Sequence, residues 1–209
     1  MTRTRIHLAA LSLAVAGACF FAYPAIRPYT DEASLAGAGA FASPAWTLSH
    51  TLAMVGFILL VLGLLGLYGR LCETKAEPRA GAALVLTWVG IGLVLPYYGA
   101  ETFALAAVGR EAIEQNSVDL LLALTDAIRF GAGVWLFGAG LLALAAGSIL
   151  FAAAIRRSGI LPRWSGIPLA LGFALFLPQF FTPPAARIAH GLLVMIGCWL
   201  VAWSMTNSP

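Results

Sequence analysis

"PAWTLSHTLAMVGFILLVLGLLGLYGR" (residues 44–70) decides the fold of this chain. Before Arg70 it carries no charged side chain, and its only ionisable groups are His50 and Tyr68. At about 1.5 Å per residue, roughly 20 apolar residues cross the hydrocarbon of a bilayer. A helix apolar on every face has no water-facing side, so this stretch predicts a membrane span rather than a surface helix.

Working outward, hydropathy predicts six spans, at approximately 6–26, 45–69, 80–98, 130–155, 165–181 and 185–205. The composition agrees: 61% of the 209 residues are hydrophobic and only 10% are charged, against about 25% charged in a soluble domain. The expected fold is an all-α integral membrane protein, a single polytopic domain over residues 1–209 arranged as a bundle of six transmembrane helices. The lipid bilayer is the expected partner. A net charge of +3 is too small to suggest nucleic acid. Cys19, Cys72 and Cys198 are scattered without a CxxC, so neither a disulfide framework nor a thiol redox pair is expected. The first apolar run continues past "AGAC" to Ile26, longer than the roughly 7–15 residues of a cleaved signal, which predicts a retained first helix.

The charges orient the bundle. Eight of the twelve basic residues (Arg3, Arg5, Arg70, Lys75, Arg79, Arg156, Arg157 and Arg163) fall on one side of the threading, and seven of the nine acids on the other. The positive-inside rule then puts both termini in the cytoplasm. Among the outer connections, "TDEASLA" (30–36) is expected to open a short helix capped by Thr30. Residues 99–117 are expected to lie along the membrane surface, and 118–129 to run on into the fourth span. Ala139, Ala143 and Gly147, at four-residue spacing, predict a helix-packing face.

Two stretches read alike: "PRAGAALVLTWVGIGLVLPYY" (78–98) and "PRWSGIPLALGFALFLPQFF" (162–181). Each has Pro-Arg, then Gly, an apolar run, Leu-Pro and aromatics, which suggests related helical hairpins. "RRSGILPRWSGIPLALG" (156–172) also resembles the penultimate loop and helix of a broad group of bacterial multi-pass proteins known only as domains of unknown function. The resemblance covers about the last quarter of the chain. It implies a bacterial inner-membrane protein and carries over no catalytic residues.

The functional lead is a second pair, "PAWTLSH" (44–50) and "PAARIAH" (184–190). Ser43 and Thr182 are positioned as capping hydroxyls, and proline opens each helix. His50 and His190 then lie six residues in, about 9 Å along the axis, at similar outer-leaflet depth. Asp119, Asp126 and Arg129 share a helix face by their spacing, and Glu101 and Arg187 belong at the same level. Intramembrane charges are costly unless paired or hydrated, so Asp126 is expected to pair with Arg129, and Glu101 with Arg187 or Arg129.

The expected site is a polar outer pocket lined by His50, Glu101, Asp126, Arg129, Arg187 and His190. Its ligand would be small and lipophilic, a haem, or a divalent metal held by His50 and His190. No HExxH, GxSxG or phosphate-binding glycine loop directs the reading toward an enzyme. The alternatives are a small proton-coupled transporter, an enzyme acting on a lipophilic substrate, and a structural or partner-binding membrane protein with no turnover.

Overall fold

Proline and capping hydroxyls punctuate an otherwise continuous helical pattern. The computed structural model describes residues 2–208 as α1 (Arg3–Ile26), α2 (Leu35–Ala42), α3 (Pro44–Leu71), α4 (Glu77–Gly99), a π turn (Ala100–Ala104), α5 (Leu105–Glu114), α6 (Val118–Arg129), α7 (Gly133–Ser158), α8 (Ile167–Ala174), a 3-10 turn (Pro178–Phe181) and α9 (Pro184–Asn207). Ser43 caps α3 by accepting the Trp46 amide at 3.2 Å, with Pro44 in the first turn where a missing N–H costs nothing. Ser34, not Thr30, caps α2, accepting from the Gly37 amide. Thr182 does not cap α9; its hydroxyl donates to the Gln179 carbonyl at 2.7 Å.

Among the described residues, five helical runs are long and apolar enough to cross a membrane: α1, α3, α4 through α5, α7 and α9. The long segments pack as a ring in chain order. α1 lies on α3, α3 on α4, α4 on α7, α7 on α8, α8 on α9, and α9 closes back on α1. Phe20, Phe57, Phe173 and Phe176 interlock in the interior, with Phe20 edge-on to Phe57 at 4.9 Å between centroids. The outside carries large apolar side chains along every span, among them Leu8, Leu62, Trp88, Leu142 and Ile196. An apolar belt of that extent needs lipid, not water. The chain is a helical membrane protein.

The structure departs from the sequence-based expectation in several further places. Residues 165–181 do not form a continuous helix. α8 stops at Ala174 because Pro178 has no N–H to give the Ala174 carbonyl and its ring crowds that carbonyl. The segment packs between α7 and α9. Gly166 packs on Ala152 and Ile155 near the end of α7, and Phe180 reaches Arg187 at the start of α9. The counterpart proline, Pro96, sits inside an unbroken α4, so the two matched stretches differ in structure.

Residues 99–117 form no separate surface helix, since α4 continues through the π turn into α5. There α5 packs on α2 and α6, around a small second core of Phe41, Trp46, Leu105, Val108 and Leu121. Residues 118–129 do not extend the fourth span either. Asn116 takes the left-handed conformation that closes α5, with the Ser117 amide returning to the Ala112 carbonyl at 2.9 Å. Ser117 then caps α6, and the chain breaks again at residues 130–132 before α7. The packing face also shifts. Ala139 is exposed, and Gly140 and Gly147 meet Gly90 and Thr87 of α4 so closely that a Cβ at residue 140 would stand 2.7 Å from the Gly90 carbonyl oxygen.

Candidate functional site

At the end of the bundle that carries α2, α5 and α6, a cavity of about 430 Å³ opens between α1, α3, α4, α7 and the broken segment after α8. That size lies within the range of small-molecule sites. Its lining includes five charged side chains, Arg27, Glu32, Glu101, Arg129 and Arg187, and six apolar ones, Phe130, Val134, Phe137, Leu177, Phe180 and Phe181. Tyr23, His50, Tyr97 and Tyr98 also line it. Phe130 and Phe181 are exposed.

Four of the charged groups form an ion-pair chain. Arg129 clasps Glu101 with two parallel hydrogen bonds, Nε to Oε1 at 2.7 Å and Nη2 to Oε2 at 3.0 Å. Its third nitrogen reaches Glu32 at 2.6 Å, and the other Glu32 oxygen takes Arg27 at 2.5 Å. The arrangement is half-hidden from solvent, with side-chain exposures of 18% for Arg129, 12% for Glu101 and 27% for Glu32. Burial alone would raise the Glu32 carboxyl, but Arg129 and Arg27 together hold it below the usual carboxylate range. Burial likewise works against the Arg129 charge, and the Glu101 and Glu32 carboxylates outweigh it, raising its pKa.

Local sequence features hold these groups in place. The π turn puts Glu101 and Thr102 on the buried side, and the Glu101 carbonyl accepts the Trp46 indole N–H at 2.7 Å. Pro28 cannot donate to the Pro24 carbonyl, which the Tyr29 hydroxyl takes instead at 3.0 Å, turning the chain over the cavity. Arg27 lies over the Trp46 ring at 4.7 Å.

The His50 ring lies against Trp46, tilted by 33° with centroids 4.2 Å apart, and its Nδ1 contacts the Trp46 carbonyl at 2.8 Å. A carbonyl only accepts, so the neutral ring carries its proton on Nδ1 and leaves Nε2 as an acceptor. Tyr98 is 2% exposed, and its hydroxyl has no hydrogen-bond partner among the protein groups. The Tyr23 phenol interacts with it.

The six side chains singled out in the sequence are not all brought together. His50, Glu101, Arg129 and Arg187 line the cavity. Asp126 does not: it is exposed on α6, and Arg129 pairs with Glu101 and Glu32 in its place. His190 lines a separate small cleft beside Phe20, Tyr23 and Phe176. Its Nε2 donates to the Gly172 carbonyl at 2.7 Å. That carbonyl is free because the Phe176 amide turns to Phe173 as α8 breaks. The two histidines therefore line different spaces, though Tyr23 and Arg187 border both. Among the described residues, no group of three His, Cys, Asp or Glu side chains is placed to hold a metal.

Arg27, Glu32, Tyr97 and Tyr98 line the cavity without having been singled out as pocket residues. A charged pair five residues apart, flanking a span end, was the available signal for Arg27 and Glu32. No family model, curated protein or solved structure matches this chain.

Proposed function

We propose that this chain is a bacterial inner-membrane protein with six crossings and cytoplasmic termini, and that it binds a small amphipathic molecule at its outer end. The observation that carries the ligand reading is a single cavity lined by both charged and aromatic side chains. A molecule with a polar head and an apolar body satisfies both kinds of lining at once, and the exposed Phe130 and Phe181 give it an apolar approach from lipid.

Six crossings are supported by the path of residues 159–183, from the end of α7 to the start of α9. The orientation rests on the basic residues clustered at the end opposite the cavity. The inner-membrane location rests on the resemblance of residues 156–172. Haem or metal ligation by His50 and His190 has less support, because each ring is held by a backbone carbonyl in a different cavity. A proton-coupled carrier also has less support, since both cavity carboxylates are engaged by arginine.

Native mass spectrometry of the full chain, extracted from membranes, tests the ligand reading. Gly138 lines the cavity and has nothing within 4 Å of its Cβ position, so Gly138→Phe is the variant chosen to add bulk to the lining. A defined extra mass on wild type that Gly138→Phe loses supports the reading. Bare chain mass for both overturns it.

A further inference from the structure

We infer that the bound amphiphile is an anion, a carboxylate or phosphate on an apolar chain, whose head is held by Arg187 and the Tyr98 hydroxyl. This rests on the ligand reading above and specifies its chemistry. Three arginines and two glutamates line the cavity, so its charged side chains sum to one net positive. The surplus can be assigned. Glu101 gives both oxygens to Arg129, and Glu32 gives one each to Arg129 and Arg27. No carboxylate is left for a cationic head.

Arg187 is the cation outside that chain. Its Nε and Nη2 donate to the Thr182 carbonyl at 3.0 Å and the Phe180 carbonyl at 2.6 Å. These bonds aim the guanidinium but leave its charge unmatched, and among the described residues no carboxylate lies within ion-pairing distance of it. Guanidinium N–H groups remain for a ligand, since arginine has five.

Tyr98 is the independent observation. Tyr98 lines the same cavity, and its buried hydroxyl makes no hydrogen bond within the protein. A buried hydroxyl without a partner is disfavoured unless a ligand or water completes it. An anionic head takes both donors, while its chain lies along Phe137, Leu177 and Phe180.

The test uses the full chain in phosphatidylcholine nanodiscs and four probes with the same lauryl chain: laurate, lauryl phosphate, lauryl alcohol and lauryl trimethylammonium. At least one anion is expected to bind about tenfold tighter than the alcohol, with the ammonium weakest. The tighter of the two anions identifies a carboxylate or a phosphate source. Tyr98→Phe should weaken the anion roughly fivefold and leave the alcohol unchanged, because only a hydroxyl is removed. Arg187→Gln should weaken the anion about tenfold, with Arg187→Lys recovering part of the loss. If Arg187→Gln fails to fold, Tyr98→Phe decides the matter.

Equal affinity for anion and alcohol, or variants that shift every probe alike, would overturn the anion assignment while the ligand reading stands. An extra mass sensitive to Gly138→Phe, with no probe bound, has the same meaning. No extra mass and no probe binding defeats both.

Discussion

Arg129 and Glu101 meet in a two-pronged pair, Nε to Oε1 at 2.7 Å and Nη2 to Oε2 at 3.0 Å, joining the end of α6 to the π turn that follows α4. The pair fixes the outer helices to the bundle, and removing one partner leaves the other charge half-buried. Arg129→Met is expected to cost about 3–5 kcal/mol. Arg129→Met/Glu101→Gln should cost less than Arg129→Met alone. Thermal unfolding of the two variants in the same detergent checks the ordering.

Glu32 supplies a pH dependence whose sign follows from its depressed pKa. A carboxyl that is more acidic in the folded chain stabilises it above the unfolded value of about 4.3 and loses that contribution as pH falls through the lower folded value. The melting temperature should therefore fall on acidification below the ordinary carboxylate range, and Glu32→Gln should flatten that part of the profile. A variant profile as steep as wild type would remove Glu32 from the account.

His190 acts through Gly172. The 2.7 Å bond from its ring satisfies a carbonyl left open where α8 breaks. His190→Leu is expected to destabilise the chain by about 1–3 kcal/mol through that unpaired carbonyl. Ligand mass on the folded fraction should be unchanged, because His190 does not line the main cavity.

Gly191 lies where α9 crosses α1, and a Cβ there would stand 2.7 Å from the Phe20 carbonyl oxygen and 2.8 Å from the Pro24 ring. Neither is a flexible side-chain end. Gly191→Ala should cost about 1–3 kcal/mol by overpacking. Gly92, with nothing within 4 Å of its own Cβ position, provides the control. Gly92→Ala is expected to be neutral or slightly stabilising in a melting assay.

Much of this was legible from residue chemistry. An apolar run such as 51–67 has few alternatives to a spanning helix, and Ser43-Pro44 marks its start with both capping signals at once. Glu101, Arg129 and Arg187 stood out because charge is rare in such a chain. The Asp126–Arg129 expectation failed for a physical reason. Arg129 is the last residue of α6, and its long side chain reaches across to another helix, a choice that spacing along one helix does not encode. Arg27 and Glu32 were hidden because their role depends on the loop folding back over the bundle end. Tyr98 read as an interface aromatic, since only the packing of α1 on α3 and of α3 on α4 encloses it. The two Leu-Pro stretches looked equivalent, yet Pro96 is absorbed by α4 and Pro178 ends α8.

The interruption at Pro178 bears on how the chain enters a bilayer during synthesis. Eight helical residues, Ile167–Ala174, span about 12 Å, too short to partition alone as a finished transmembrane element. The open Gly172 and Phe180 carbonyls of this segment take partners from later residues, His190 and Arg187. Stable lodging of residues 165–181 thus awaits translation of α9. Chains truncated before Pro184 should therefore expose that segment to modification from outside the bilayer, whereas chains carried through Asn207 should protect it.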